Sequence, residues 1–220
     1  MSLDLANKLI KERELVSGNL EEAERILLDF VETNPIARGY GLLSEIQYWK
    51  GEIAPKEAKV SIYETGIEFG RRGVALDRDN IESNFWLGVS YGLLGEEQGI
   101  MSSFFLLDPI EVCFNHSLKL DESYFYGAPL RSAGLFYHKI PGWPISKGDN
   151  RKALAYLEKS LHYGPEFYLN HLYISWVYKA LGNNDKFRYH LEWIIDANPT
   201  RKFAQENNRH KEHAKKLLGR

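Results

Sequence analysis

Apolar residues recur every three to four positions in blocks, and the blocks are separated by Gly-Asn pairs or prolines. The stretch Pro165–Pro199 shows it most clearly. Its first segment carries Tyr173, Ile174 and Tyr178, a Gly182-Asn183 turn follows, and its second segment carries Phe187, Leu191 and Ile194. This spacing predicts two amphipathic helices joined by a tight turn. Pro199 ends the second, because proline lacks an N–H and clashes with the preceding turn. The N-terminal block reads the same way. Leu5–Val16 has helical spacing, Gly18-Asn19 is a turn, and Leu20–Val31 sets Ala23, Leu27 and Phe30 on one face.

The interval from Pro165 to Pro199 is 34 residues, which is the tetratricopeptide (TPR) period. Earlier boundaries fall at Pro35, Arg78 and Glu122, so the successive steps are 43, 44, 43 and 34 residues. A step near 43 also suits HEAT or armadillo repeats. Local signatures favour TPR. Ile81–Glu97 places Leu87-Gly88, Tyr91 and Gly95 as a TPR first half does, and Lys147–Pro165 places Ala153, Leu157 and Pro165 as a second half does. Small residues at these slots let paired helices approach closely.

The expected fold is therefore all-α: a right-handed TPR-like helical-hairpin solenoid forming one domain over residues 1–220. Its units are 3–35, 36–78, 79–122, 123–165 and 166–199, with a capping helix at 200–218 that Thr200 starts. The extra residues of units two to four lie near Glu52–Ser61, Glu96–Pro109 and Lys139–Gly148, as longer loops or as extended second helices. Gly66, Gly70 and Gly73 share one face of a predicted helix. They imply close helix–helix approach or, alternatively, a break.

Composition narrows the function. Net charge is −2 and the isoelectric point is near 6.4, so no basic field points to nucleic acid or an anionic membrane. No run of 18 apolar residues suggests a membrane span. The lone cysteine, Cys113, excludes an intrachain disulfide and reads as a buried, inert thiol. His210 and His213 form half of a metal site at most, and His171 reads as a partly buried imidazole or a groove residue. No catalytic, phosphate-binding or metal motif is present, so the expectation is a non-enzyme with no cofactor and no metal. An enzyme with an unrecognised site is a further reading.

Aromatics make up 13% of the chain and cluster in Glu122–Pro144. On TPR geometry, first-helix positions face a concave groove. The candidate groove residues are Trp49, Phe85, Val89, Tyr126, Phe136, Tyr137, Trp176 and Lys179. The expectation is a continuous apolar cavity bordered by Trp49, Phe85, Phe136, Tyr137 and Trp176 that takes a hydrophobic small molecule or an apolar peptide. The competing reading is that the protein fills it. The lysines and asparagines of chaperone-type carboxylate clamps are missing apart from Lys50 and Lys179.

The long inserts between paired helices, the stretch Lys139–Asp149 and the final regular repeat resemble the T-components of TRAP transporters. More distantly, Gly95–Ile100 is similar to an insert of the regulator-of-microtubule-dynamics TPR proteins. The resemblance covers about Ala37 to Pro199. It implies an internal hydrophobic channel and docking to a periplasmic solute-binding protein, and it assigns no single functional residue. The chain departs from the T-components in having no lipoprotein signal or lipobox cysteine. The alternative is a cytosolic adaptor that binds a peptide segment of a partner. The compartment is periplasmic if a signal preceded this sequence and cytoplasmic otherwise, and self-association is left open.

Overall fold

A computed structural model describes residues 2–99 and 104–220. The described residues contain eleven α-helices and no strand. They are α1 (Leu3–Lys11), α2 (Asn19–Thr33), α3 (Ala37–Ile53), α4 (Lys56–Leu76), α5 (Ile81–Gln98), α6 (Leu107–Leu120), α7 (Tyr124–Lys139), α8 (Asn150–Tyr163), α9 (Tyr168–Ala180), α10 (Asn184–Asp196) and α11 (Ala204–Leu217). Successive helices pack in pairs: α1 with α2, α3 with α4, α5 with α6, α7 with α8 and α9 with α10. The chain divides into two compact units, Met1–Asp121 with α1–α6 and Glu122–Arg220 with α7–α11.

Helix starts follow local chemistry. Side-chain oxygens satisfy first-turn N–H groups that have no intrahelical acceptor. Ser2 caps α1, Asn80 accepts from Ser83 N at 2.9 Å for α5, Asp149 from Arg151 N at 2.8 Å for α8, and Asn183 from Lys186 N at 3.1 Å for α10. Thr200 does not act as expected. It precedes a 3₁₀ turn at Arg201–Phe203 and makes no side-chain cap bond, so α11 begins only at Ala204.

In the first unit α4 packs against both α3 and α5, and its glycines are the reason it fits. A Cβ on Gly66 would meet Ser90 Oγ at 2.6 Å, and one on Gly70 would meet Leu87 Cβ at 2.7 Å. One on Gly73 would meet Ser83 Oγ at 2.2 Å. Buried hydroxyls use the same closeness: Ser44 donates to Gly66 O at 2.9 Å and Ser83 to Ala37 O at 2.8 Å. Close approach, rather than a break, is what these glycines serve.

The three inserts are built differently. The first, Glu52–Ser61, is absorbed into helix, since α3 has 17 residues, α4 has 21, and only Ala54 and Pro55 separate them. Part of the second, residues 100–103, lies outside the described residues, and with it the end of the Gly95–Ile100 insert; the rest includes a 3₁₀ turn at Phe104–Leu106. The third is a loop, Ile140–Asp149, with a cis Trp143–Pro144 peptide and an isolated bridge between Gly142 and Gly148.

The second unit has a fully buried core of Ala153, Leu157, Ile174, Val177, Leu191, Ile194 and Ala214. Its entry is irregular. Phe125, Tyr126 and Gly127 at the head of α7 adopt left-handed backbone, with φ of 45°, 61° and 74°. The regular right-handed part follows, so Pro129 sits near its first turn, where its missing N–H does little harm.

Candidate functional site

In the first unit, α3 and α5 bring Tyr48, Trp49, Phe85 and Trp86 together. Tyr48 and Trp49 meet edge-on at 4.5 Å, Tyr48 and Trp86 at 5.3 Å, and Phe85 and Trp86 at 4.9 Å. The Arg13 guanidinium lies over Trp49, 3.2 Å from the ring centroid. Trp49 Nε1 donates to Glu45 Oε1 at 3.1 Å. Glu45 is buried, and burial pushes its carboxyl up to about 7, opposed by the Trp49 hydrogen bond and by Arg13 and Lys11. A carboxyl group thus titrates near neutrality inside an aromatic cluster.

The same unit carries a cavity of about 390 Å³ against α4, α5 and the 3₁₀ turn. Its wall includes Ile67, Tyr91, Leu94, Phe105 and Leu106. At the rim Arg72 pairs with Glu68, and Arg71 Nε donates to the Tyr91 hydroxyl at 2.7 Å. Sequence reasoning missed this cavity, because Phe105 and Leu106 fall in a segment without helical period.

In the second unit the left-handed turn is held by Asn170, which is fully buried. Its Nδ2 faces the carbonyls of Tyr126 at 3.2 Å, Ser160 at 3.1 Å and Gly164 at 2.8 Å, while its Oδ1 accepts from Arg131 at 3.0 Å. Phe167 stacks on Tyr126 at 4.9 Å and meets Phe203 edge-on at 5.6 Å. The site shows how left-handed non-glycine residues, each disfavoured by roughly 1–2 kcal/mol, are held in place.

The predicted groove residues divide by exposure. Trp49, Phe85, Phe136 and Tyr137 are buried within packed aromatic contacts, Val89 and Trp176 are half-buried, and Tyr126 and Lys179 are exposed. Tyr126 stands in the left-handed turn, ahead of the regular helical face expected to carry it. On α9, Trp176 packs on Tyr173 at 5.1 Å, and Lys139 Nζ lies 5.9 Å from the Trp176 ring. Lys179 Nζ sits 4.8 Å from the Phe187 ring. His171 is buried and paired with His190, a partner 19 residues away that the sequence pattern did not reveal. Cys113 is buried and its thiol is pushed up to about 12 by burial, so it is not a thiolate at neutral pH. His210 lies 3.6 Å from Glu206. Among the described residues no three metal-ligating side chains cluster, and no helix is long and apolar enough to cross a membrane.

No family model matches the chain, and no curated protein does. Among solved structures it is similar to TTC0263, a thermophilic TPR protein of Thermus thermophilus. The TM-score is 0.69 at 16% identity, covering 98% of this chain and 97% of that one. It is also similar to MamA, with a TM-score of 0.55 at 18% identity, covering 97% and 99%. At these identities the likeness concerns the fold: the chain has the TPR-like all-α architecture of consecutive packed helix pairs.

Proposed function

We propose that this chain is a non-enzymatic interaction protein that grips a segment of a partner protein on its first-helix aromatic face. The observation that supports this most is the half-buried Trp176–Tyr173 pair on α9, with Lys139 beside it and exposed Lys179 one turn on. A half-buried indole offers apolar area at low conformational cost, and nearby lysines favour acidic side chains. The preferred segment therefore pairs large apolar residues with Asp or Glu. Trp49, Phe85, Phe136 and Tyr137 are covered by their neighbours, so they offer no gripping surface themselves.

The test is selection of displayed random peptides on the immobilised protein. Apolar–acidic sequences should be enriched, and Trp176→Ala should weaken them about tenfold or more, as loss of an anchor does. Tyr189→Ala, on an exposed face of α10, should not. No enrichment, or equal binding by Trp176→Ala, sinks the reading.

The finer setting, an accessory role in TRAP-type solute uptake with docking to a solute-binding protein, rests on the resemblance of the Lys139–Asp149 insert. Sedimentation of the chain with a purified solute-binding protein tests it. No complex at about 100 μM, a concentration that catches even weak encounters, removes the uptake setting and leaves the peptide reading standing.

A further inference from the structure

Trp143 is 90% exposed and Ile145 is 65% exposed. Both stand on the Ile140–Asp149 loop, which is pinned internally. Gly148 N donates to Pro141 O at 2.9 Å, and Asp149 N donates to Tyr137 O at 2.9 Å. A Cβ on Gly148 would meet Ile140 O at 2.1 Å, so the neck of the loop admits only glycine. The tip also satisfies its own backbone. Ile145 N and Ser146 N both donate to Gly142 O at 3.1 Å, and Pro144 carries no N–H. Residues 144–146 thus leave no backbone donor open, which is what contact with lipid requires, because lipid offers no acceptor. A protein pocket makes no such demand, since it can supply acceptors of its own.

The net charge of −2 conceals a division. Residues 1–121 hold 12 Lys and Arg against 21 Asp and Glu, net −9, whereas residues 122–220 hold 16 against 9, net +7. Around the loop the bias is stronger. From Ser123 to Leu157 there are five basic residues and one acid, Asp149, which is committed to capping α8. Exposed Arg151 and Lys152 follow it on the first turn of α8. Neither forms an ion pair among the described residues. Lys152 Nζ lies 3.7 Å from the Tyr137 ring centroid, a contact that leaves its charge in place. Fields of exposed charges are screened over about 10 Å at 0.1 M salt. The sign of the segment that touches a surface therefore outweighs the sign of the whole chain.

We propose that the Ile140–Asp149 loop attaches the second unit to the surface of an anionic bilayer. Trp143 and Ile145 enter the boundary between headgroups and acyl chains, and Arg151 and Lys152, just past the neck of the loop, are attracted to the anionic headgroups. An indole suits that depth, because it joins a large apolar body to one N–H. A loop ordered in advance has little entropy left to lose on insertion. Two inserted side chains and a few charges give reversible, salt-sensitive attachment rather than permanent anchoring. This contact is independent of the peptide-binding face around Trp176.

The test is co-sedimentation of the full chain with vesicles of equal parts phosphatidylglycerol and phosphatidylcholine, against vesicles of phosphatidylcholine alone. The wild type should pellet with the mixed vesicles at about 0.1 M salt and be released at about 1 M, where the screening length falls to about 3 Å. It should stay in solution with phosphatidylcholine alone. Trp143→Ala should weaken partitioning about tenfold or more, as loss of a buried large apolar side chain does. Ile145→Ser should weaken it less, and both variants, at exposed positions, should keep the wild-type circular dichroism. Arg151→Glu/Lys152→Glu should also weaken it, with the fold kept because acidic residues suit the start of a helix. Lipids brominated in the acyl chain should quench the wild type more than Trp143→Phe. A wild type that ignores the mixed vesicles, as it would if the loop served a protein pocket, overturns the proposal. So does Trp143→Ala or the double variant pelleting like the wild type, or equal pelleting with phosphatidylcholine alone.

Discussion

His171 and His190 meet through their Nδ1 atoms at 3.0 Å, a pair that accommodates one proton between them. His171 Nε2 lies 2.8 Å from the Pro165 carbonyl and must donate to it. Neutral His171 therefore presents a bare Nδ1, and His190 Nδ1–H donates to it. Trp193 lies parallel to His171 at 3.6 Å, and Tyr178 stacks on His190 at 5.6 Å. The Tyr178 hydroxyl donates to Glu158 at 2.9 Å and accepts from Lys186 at 3.1 Å, and the Lys186 charge acts on His190.

Acid should loosen this hairpin. Burial, then His171, then Lys186 push His190 down to about 4, and burial lowers His171 as well. The folded state keeps both rings neutral, while the unfolded chain protonates near about 6.5. Stability is then complete above about pH 6.5 and falls as pH drops toward 4, with His190 contributing roughly 2–3 kcal/mol. Urea melts at pH 7.5 and 4.5 in a Glu45→Gln background, which removes the opposing Glu45 titration, measure this, and adding His190→Gln should flatten the difference. An equal slope in the variant refutes the assignment.

Glu45 has the opposite sign. Its folded carboxyl titrates near 7 against about 4.5 unfolded, so the folded state holds a proton the unfolded chain gives up. That contribution is present at low pH and is lost as pH rises from about 4.5 to 7, by on the order of 3 kcal/mol. Glu45→Gln keeps an acceptor for Trp49. It should match the wild type at pH 5 and melt higher at pH 8.

Two glycines on adjacent helices should respond in opposite directions. Gly70→Ala gains about 1 kcal/mol of helix propensity but drives a Cβ within 2.7 Å of Leu87 Cβ and 3.0 Å of its Cα. Overpacking of that kind costs about 1–3 kcal/mol, so a net loss is expected. Gly92→Ala in α5 meets nothing within 4 Å and should raise the melting temperature. Thermal denaturation of both variants decides it.

Asn170→Ala should destabilise the second unit by about 2–4 kcal/mol, since the two N–H groups that the Tyr126, Ser160 and Gly164 carbonyls share are lost together with the acceptor of buried Arg131. Asn170→Asp should be worse, because it sets an acceptor against acceptors. Hydrogen exchange at Gly127 and Gly164 should rise in both. Unchanged exchange would mean the left-handed turn is held by other contacts.

Helix periods, the prolines at 35, 165 and 199 and the Gly-Asn turns were legible because their causes are local: side-chain spacing, a missing N–H, a backbone that tolerates positive φ. The glycine face of α4 was legible for a related reason, since three residues without side chains on one stripe invite a close neighbour. Whether an insert is helix or loop was not legible. Glu52–Ser61 became helix and Ile140–Asp149 a pinned loop. That choice depends on what packs beside each segment, which propensity does not encode.

The candidate site shows the same division. By itself the sequence determined an all-α chain of paired helices with aromatics concentrated on the first helices. Tertiary structure decided which aromatics are covered, as Trp49 and Phe85 are, and which remain half-open, as Trp176 does. It also decided that Glu45 loses its solvent, that His171 finds His190, that Asn170 gathers the carbonyls around a left-handed turn, and that Trp143 is left outside. Helical period is a property of neighbours in the chain. Burial, proton sharing and exposure are properties of neighbours in space, which only the packed fold brings together.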